Sequence, residues 1–142
     1  MTDIALAVIG GTGLYKLADL QDVETHQPVT HYGALSGPVR VGTLGGHRVA
    51  FLARHGEGHS LPPHKINYRA NLAALQDLGA TRVLALNTVG GITERFGPRV
   101  LACPDQLIDY TGAAFRRSAR NPAPRCCTWI SASRTRARCA RR

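Results

Sequence analysis

Apolar runs and glycine-rich turns alternate along the first hundred or so positions. Ile4-Ala5-Leu6-Ala7-Val8-Ile9 is unbroken apolar, which predicts a strand buried on both faces. Gly10-Gly11-Thr12-Gly13 follows at once as a tight turn. Residues 23–29 suit a partly exposed strand. Val39-Arg40-Val41-Gly42-Thr43-Leu44 alternates, Gly45-Gly46 predicts a hairpin turn, and His47-Arg48-Val49-Ala50-Phe51-Leu52-Ala53 returns as the partner strand. From Asn67 the period changes. Tyr68, Leu72 and Leu75 fall at i, i+4 and i+7, and Gly79 stands where a helix ends, so an amphipathic helix of about three turns is predicted. Arg82-Val83-Leu84-Ala85-Leu86-Asn87 is a further buried strand, closed by Thr88-Val89-Gly90-Gly91-Ile92, and residues 106–111 form a last credible one.

Strand, turn, hairpin, helix and strand in this order predict an α/β fold: a mixed, partly parallel sheet with flanking helices. In such sheets ligands bind beyond the carboxyl ends of the strands. Thr12, Arg54-His55 and Asn87-Thr88 all fall at expected strand ends, and their convergence on one site is the main structural expectation.

After Gly112 the pattern stops, and composition explains why this boundary matters. The 142-residue chain carries a formal net charge of +9, which by itself suggests a nucleic-acid partner. Residues 1–112, however, hold nine Lys and Arg against nine Asp and Glu; the excess lies wholly in residues 113–142, with nine Arg, no Lys and no acid. The expected organisation is a neutral body over residues 1–112 and an Arg-rich tail over residues 113–142, either disordered or read out of frame. Arg without Lys, beside Ala, Pro and Cys, is what a GC-rich gene yields in a shifted frame. Cys103 is the one cysteine of the body, and as a single buried thiol it suits a reducing, cytoplasmic setting. Asp3 stands where a signal peptide would be basic, and no apolar run approaches the length of a membrane span.

The chemistry concentrates between residues 54 and 71. Arg54-His55 after a buried strand supplies a planar fork of donors beside a titratable one, good equipment for gripping an anion. Gly10-Gly11-Thr12-Gly13 offers backbone amides and a hydroxyl, but Lys16 replaces the third glycine of the dinucleotide fingerprint, and no Gly-Lys-Ser/Thr ending follows. Asn87-Thr88 could add polar side chains and amides. No metal is expected: His55, His59 and His64 would need helical spacing, and Gly56, Gly58, Pro62 and Pro63 oppose a helix there. Glu94 has no acid partner for glycosidase chemistry. His26, His31 and His47 lack motif context and are expected at the surface. Cys103 has no activating neighbours and is expected to pack rather than react.

Taken together, Ile-Gly-Gly-Thr-Gly-Leu (9–14), Arg-His-Gly with Pro-Pro-His-Lys-Ile-Asn-Tyr-Arg-Ala-Asn (54–71), Asn-Thr-Val-Gly-Gly-Ile (87–92) and Asp-Gln-Leu-Ile-Asp-Tyr-Thr (105–111) resemble the trimeric purine nucleoside phosphorylases. The likeness is to their methylthioadenosine/methylthioinosine branch, and the Asn87-x-Val-Gly-Gly form is most similar to bacterial S-methyl-5'-thioinosine enzymes. The resemblance implies phosphorolysis: phosphate attacks the anomeric carbon of a methylthioribosyl purine, releasing the base and the sugar 1-phosphate. It implies phosphate contacts from Thr12, Arg54, His55, Asn87 and Thr88, with His59 on the sugar side. It implies no cofactor, inorganic phosphate as co-substrate, a cytoplasmic homotrimer, and neither membrane nor nucleic acid as partner. The family's nucleoside contacts lie in its C-terminal half, and nothing in residues 113–142 resembles that half, so the chain is expected to be truncated and inactive as written. Two alternatives stand beside this. Phe51-Leu52-Ala53-Arg54-His55-Gly56-Glu57 resembles the histidine phosphatases, in which His55 would be the nucleophile, and the Arg-rich tail could serve a non-enzymatic nucleic-acid binder. Reading the gene in its other frames past codon 112 tests the boundary: family-like sequence is expected to resume there.

Overall fold

The computed structural model describes residues 4–14, 16–106, 108 and 125–133. Its elements are β1 (Leu6–Gly10), β2 (Gln21–His26), β3 (Val39–Leu44), β4 (His47–Ala53), α1 (Tyr68–Asp77), β5 (Arg82–Gly90), β6 (Leu101–Ala102) and β7 (Arg125–Ser133). All seven strands form one sheet in the order β2-β3-β4-β1-β5-β7-β6. The four central strands β4, β1, β5 and β7 run parallel, while β2, β3 and β6 add antiparallel pairs at the two edges. The mixed, partly parallel sheet is therefore as expected. Among the described residues there is a single α-helix, with one-turn 3-10 segments at Glu57–His59, Pro63–Lys65 and Glu94–Phe96, so flanking helices are fewer than expected.

Local chemistry accounts for the elements. Gly45 and Gly46 both take positive φ, 56° and 80°, as a two-residue hairpin joining β3 to β4 requires. The Asn67 side chain accepts the Ala70 N–H at 3.1 Å and caps α1. At the other end Gly79 sits at φ 94°, its N–H bonds to the Gln76 carbonyl, and Ala80 N–H bonds to the Leu75 carbonyl, which completes a Schellman termination. β2 begins two residues earlier than the hydrophobic pattern suggested and ends at His26, leaving Val29 97% exposed. β2 is an edge strand with little burial, so apolar periodicity has nothing there to report. β5 runs on through Gly90, each residue paired with β7, so Asn87 and Thr88 lie inside the strand rather than in a turn after it. β7 falls in the segment where the sequence shows no period. The strand expected over residues 106–111 lies largely outside the described residues.

The core divides across the sheet. Ile4, Ala7, Ile9, Val41, Ala50, Leu52 and Val83 pack with Leu75 of α1 on one face. Val8, Val49, Phe51 and Ala53 fill the other, under Leu14, Leu17, Leu20 and Leu86. β1 and β4 thus bury alternate residues on both sides, which is why they read as unbroken apolar runs. Tyr68 departs from the expected helix face: it is 51% exposed, and the buried positions of α1 are Ala70, Asn71, Ala74 and Leu75. Small alanines let the helix approach the sheet, and Tyr68, in the first turn, lies clear of it.

Asn71 is a buried polar residue that amphipathic periodicity does not flag. Its Oδ1 accepts the Ser36 N–H at 2.9 Å and its Nδ2 donates to Ser36 Oγ at 2.9 Å, tying α1 to the loop before β3. The near-isosteric change Asn71→Leu strands the Ser36 amide in a dry site. It is expected to lower stability by about 1–3 kcal/mol, read as a reduced urea midpoint with unchanged m-value.

Candidate functional site

The site is built by register. β4, β1 and β5 are parallel neighbours, with Gly10 opposite Ala53 and Ile9 opposite Ala85, so their carboxyl ends open on the same edge. Two hydrogen bonds then tie the turn after β1 to its neighbours. Arg54 N–H donates to the Gly10 carbonyl at 2.9 Å, and Thr88 Oγ1 donates to the Thr12 carbonyl at 2.9 Å. Beside the second of these bonds opens a cavity of about 300 Å³ lined by Gly11, Thr12, Gly13, Leu14, Leu86, Asn87, Thr88 and Leu101; Arg54 and His55 are not among its lining residues. Thr12, Arg54, His55, Asn87 and Thr88, expected to converge from three separate segments, are brought to one edge of the sheet.

Arg54 stands behind the Gly10–Gly13 turn. A Cβ on Gly11 would lie 3.0 Å from Arg54 Nη2 and 2.5 Å from the Leu86 carbonyl oxygen, so only glycine lets the guanidinium and β5 close on this turn. The guanidinium is half-buried, and burial pushes its pKa below the usual arginine value, with the nearby Tyr68 opposing that shift. Among the described residues no carboxylate pairs with it; the ion pairs present join Arg40 to Glu57, and Arg48 and His26 to Glu24. A desolvated cation without a counter-charge is an arrangement that an incoming anion completes.

His55 is buried, at 5% exposure, and both ring nitrogens are engaged within the chain. Nδ1 lies 2.9 Å from the Leu61 carbonyl oxygen, and Nε2 lies 3.4 Å from both Nε and Nη2 of Arg54. The exposed His59 ring stacks on it at 4.4 Å between centroids. Gly56 and Gly58 at positive φ, with His59 itself at φ 59°, turn the loop tightly enough for this stack. His64 is exposed on the neighbouring 3-10 segment and stands apart. His31 and His47 are exposed as expected, and His26 is half-buried beside Glu24. Cys103 differs from expectation: it is exposed rather than packed, because the short β6 carries it to the rim of the sheet.

The leucines of the cavity were not foreseen as site residues. Leu86 was legible as a strand residue, but its face depends on which neighbours cover the sheet. Leu101 comes from an edge strand two residues long that periodicity cannot register.

A mixed sheet whose parallel strands end on a glycine-lined cavity with a cation behind it places the molecule among α/β proteins that take a ligand beyond their strand ends. The sequence model of the Phosphorylase superfamily matches residues 5–140, and the chain belongs to that superfamily. That match runs past the compositional boundary at Gly112. The chain is 82% identical over 108 residues to the probable S-methyl-5'-thioinosine phosphorylase of Xanthomonas campestris, covering 76% of this chain and 43% of the relative. It is 72% identical over 111 residues to the probable S-methyl-5'-thioinosine phosphorylase of Xylella fastidiosa, covering 78% of this chain and 47% of the relative. The crystal structure of a methylthioadenosine phosphorylase from an antarctic soil metagenomic library superposes with a TM-score of 0.68 at 39% identity, over 75% of this chain and 37% of that one. The chain thus spans less than half the length of these relatives.

Neither alternative from sequence gains support. Three strands precede the one that leads into Arg54-His55, and the superfamily match accounts for the Gly10–Gly13 and Asn87–Thr88 segments, which a histidine phosphatase or a basic-tailed binder leaves unexplained.

Gly11→Ala tests the packing of the turn. The added methyl meets a backbone oxygen that cannot swing aside, so β1 and β5 must separate. The expected outcome is a loss of about 1–3 kcal/mol in thermal or urea unfolding, with Gly13→Ala affected through its left-handed φ rather than by any clash.

Proposed function

We propose that this chain forms the phosphate-binding part of a nucleoside phosphorylase acting on S-methyl-5'-thioinosine or its adenosine analogue. The observation that carries the reading is Arg54: a half-buried guanidinium with no carboxylate partner among the described residues, set behind a glycine turn at the open ends of parallel strands. Thr12, Asn87 and Thr88 supply hydroxyl, amide and backbone groups around the adjoining cavity, and His55 stands against Arg54. Thr88 spends its hydroxyl on the Thr12 carbonyl, so its contribution to an anion comes from its backbone. His59, stacked on His55 and exposed, is the candidate nearest the sugar.

In the reaction a phosphate oxygen forms a bond to the anomeric carbon as the bond from that carbon to the purine nitrogen breaks. The bonding electrons leave with the base, which takes up a proton. The transition state resembles an oxocarbenium ion, so a dianion fixed beneath the ribose both attacks and stabilises it. Arg54 orients that dianion while its half-buried setting keeps the interaction little screened. Phosphate needs no cofactor here; it is the second substrate. The chain spans less than half the length of the relatives it matches, and the part of the enzyme assigned to it is the phosphate site. The complete enzyme is read as a cytoplasmic homotrimer.

Two measurements test the reading. Inorganic phosphate is expected to raise the melting temperature of the chain where equal ionic strength of chloride does not; at a hundredfold excess over Kd the gain is about 2.7 kcal/mol. Arg54→Gln is expected to abolish it. In a chimera carrying residues 1–111 of this chain on the remainder of the Xanthomonas campestris relative, phosphorolysis of methylthioinosine is expected, with Arg54→Gln lowering kcat/KM by about 10- to 100-fold. An active chimera indifferent to Arg54 would overturn the assignment.

A further inference from the structure

Resting on the anion-binding role of Arg54, we propose that His55 is a positioning residue that holds Arg54 through Nε2, and does not itself donate to the bound anion. The hydrogen-bond inventory dictates this. A carbonyl oxygen only accepts, so the 2.9 Å contact from Nδ1 to Leu61 O places a proton on Nδ1. What faces Nε2 is a pair of donors, Nε–H and Nη2–H of Arg54, each at 3.4 Å, and toward two donors the ring nitrogen can bond only through its lone pair. His55 is thereby an acceptor toward the cation. Its plane is fixed twice over: by Leu61 O at one nitrogen, and by the His59 ring stacked at 4.4 Å and 19°. The left-handed φ of His59, 59°, is the conformation in which this ring can be delivered. The buried ring does not line the cavity, whereas Gly11, against which Arg54 packs, does.

The consequence for Arg54 is directional. Its Nε edge is taken by His55, so Nη1 and the remaining Nη2 hydrogen are the donors left for an anion. A flexible four-bond side chain becomes a fork with one open edge, and little of its rotamer freedom remains to be lost when the anion arrives.

Two experiments test the inference in the 142-residue chain, with the chimera above as the second background for each. Two-bond ¹H–¹⁵N correlation spectra of histidine-labelled protein without phosphate report the tautomer. The expected result is His55 protonated on Nδ1, with a protected Arg54 Nε–H resonance that shifts in His55→Asn and is restored toward wild type in His55→Gln, whose amide oxygen reaches the Nε2 position. An Nε2–H tautomer, or an Arg54 resonance blind to both variants, overturns the proposal. Titration with inorganic phosphate then closes a cycle. His55→Asn is expected to weaken phosphate about tenfold when Arg54 is present and less than about twofold in the Arg54→Gln background, because the two residues act as one unit. An equal loss in both backgrounds shows His55 touching phosphate on its own and sinks the idea. Failure of the anion site reads differently: Arg54→Gln alone would leave phosphate affinity unchanged, or wild type would show none, while the tautomer would still decide the role of His55.

Discussion

The parallel register of β4, β1 and β5 is the constraint on which the rest depends. It brings the residues that follow β1 and β4 beside the later part of β5, far apart in sequence, with no side chain yet involved. The bond from Arg54 N–H to the Gly10 carbonyl prolongs this register one residue past the sheet. The turn Gly10–Gly13 must then pass between Arg54 on one side and Leu86 on the other, which leaves no room for a Cβ at position 11. The cavity, the position of the guanidinium and the tie between Thr88 and Thr12 all follow from that one alignment.

Electrostatics adds the second layer. The sheet half-buries a cation, Arg54, and among the described residues no acid accompanies it, whereas Arg40 and Arg48 do have glutamate partners. Leaving Arg54 without one costs folding free energy that an anion can return on binding. The His55 ring, held at Nδ1 by the Leu61 carbonyl, orders the guanidinium from one side.

Much of this was legible in the sequence where burial is two-sided or turn chemistry is strict. β3 and β4 and their Gly45-Gly46 hairpin have the expected limits, the ends of α1 are marked by Asn67 and Gly79, and Thr12, Arg54-His55 and Asn87-Thr88 meet at one edge. What escaped depends on tertiary context. Tyr68 has the spacing of a core residue and is exposed because α1 docks through alanines. Asn71 looks like a surface amide and is a buried strut, since its partner Ser36 is thirty-five residues away. Cys103 was read as a packed thiol, but a two-residue edge strand holds it at the rim. The partner of each His55 nitrogen could not be read from spacing, because it is set by how the loop from Gly56 to Leu61 folds back.

Leu14 and Leu86 belong at once to the cavity wall and to the packing over Phe51. The floor of the site is therefore the outer skin of one half of the core, with no intervening layer. A change of volume at Phe51 or Val8 is transmitted to the ligand as a change in the shape of its seat, and substitutions in the two places become epistatic. Such a molecule cannot drift freely in its interior while keeping its chemistry. Its hydrophobic packing and its ligand preference are subject to the same selection, acting on the same few side chains.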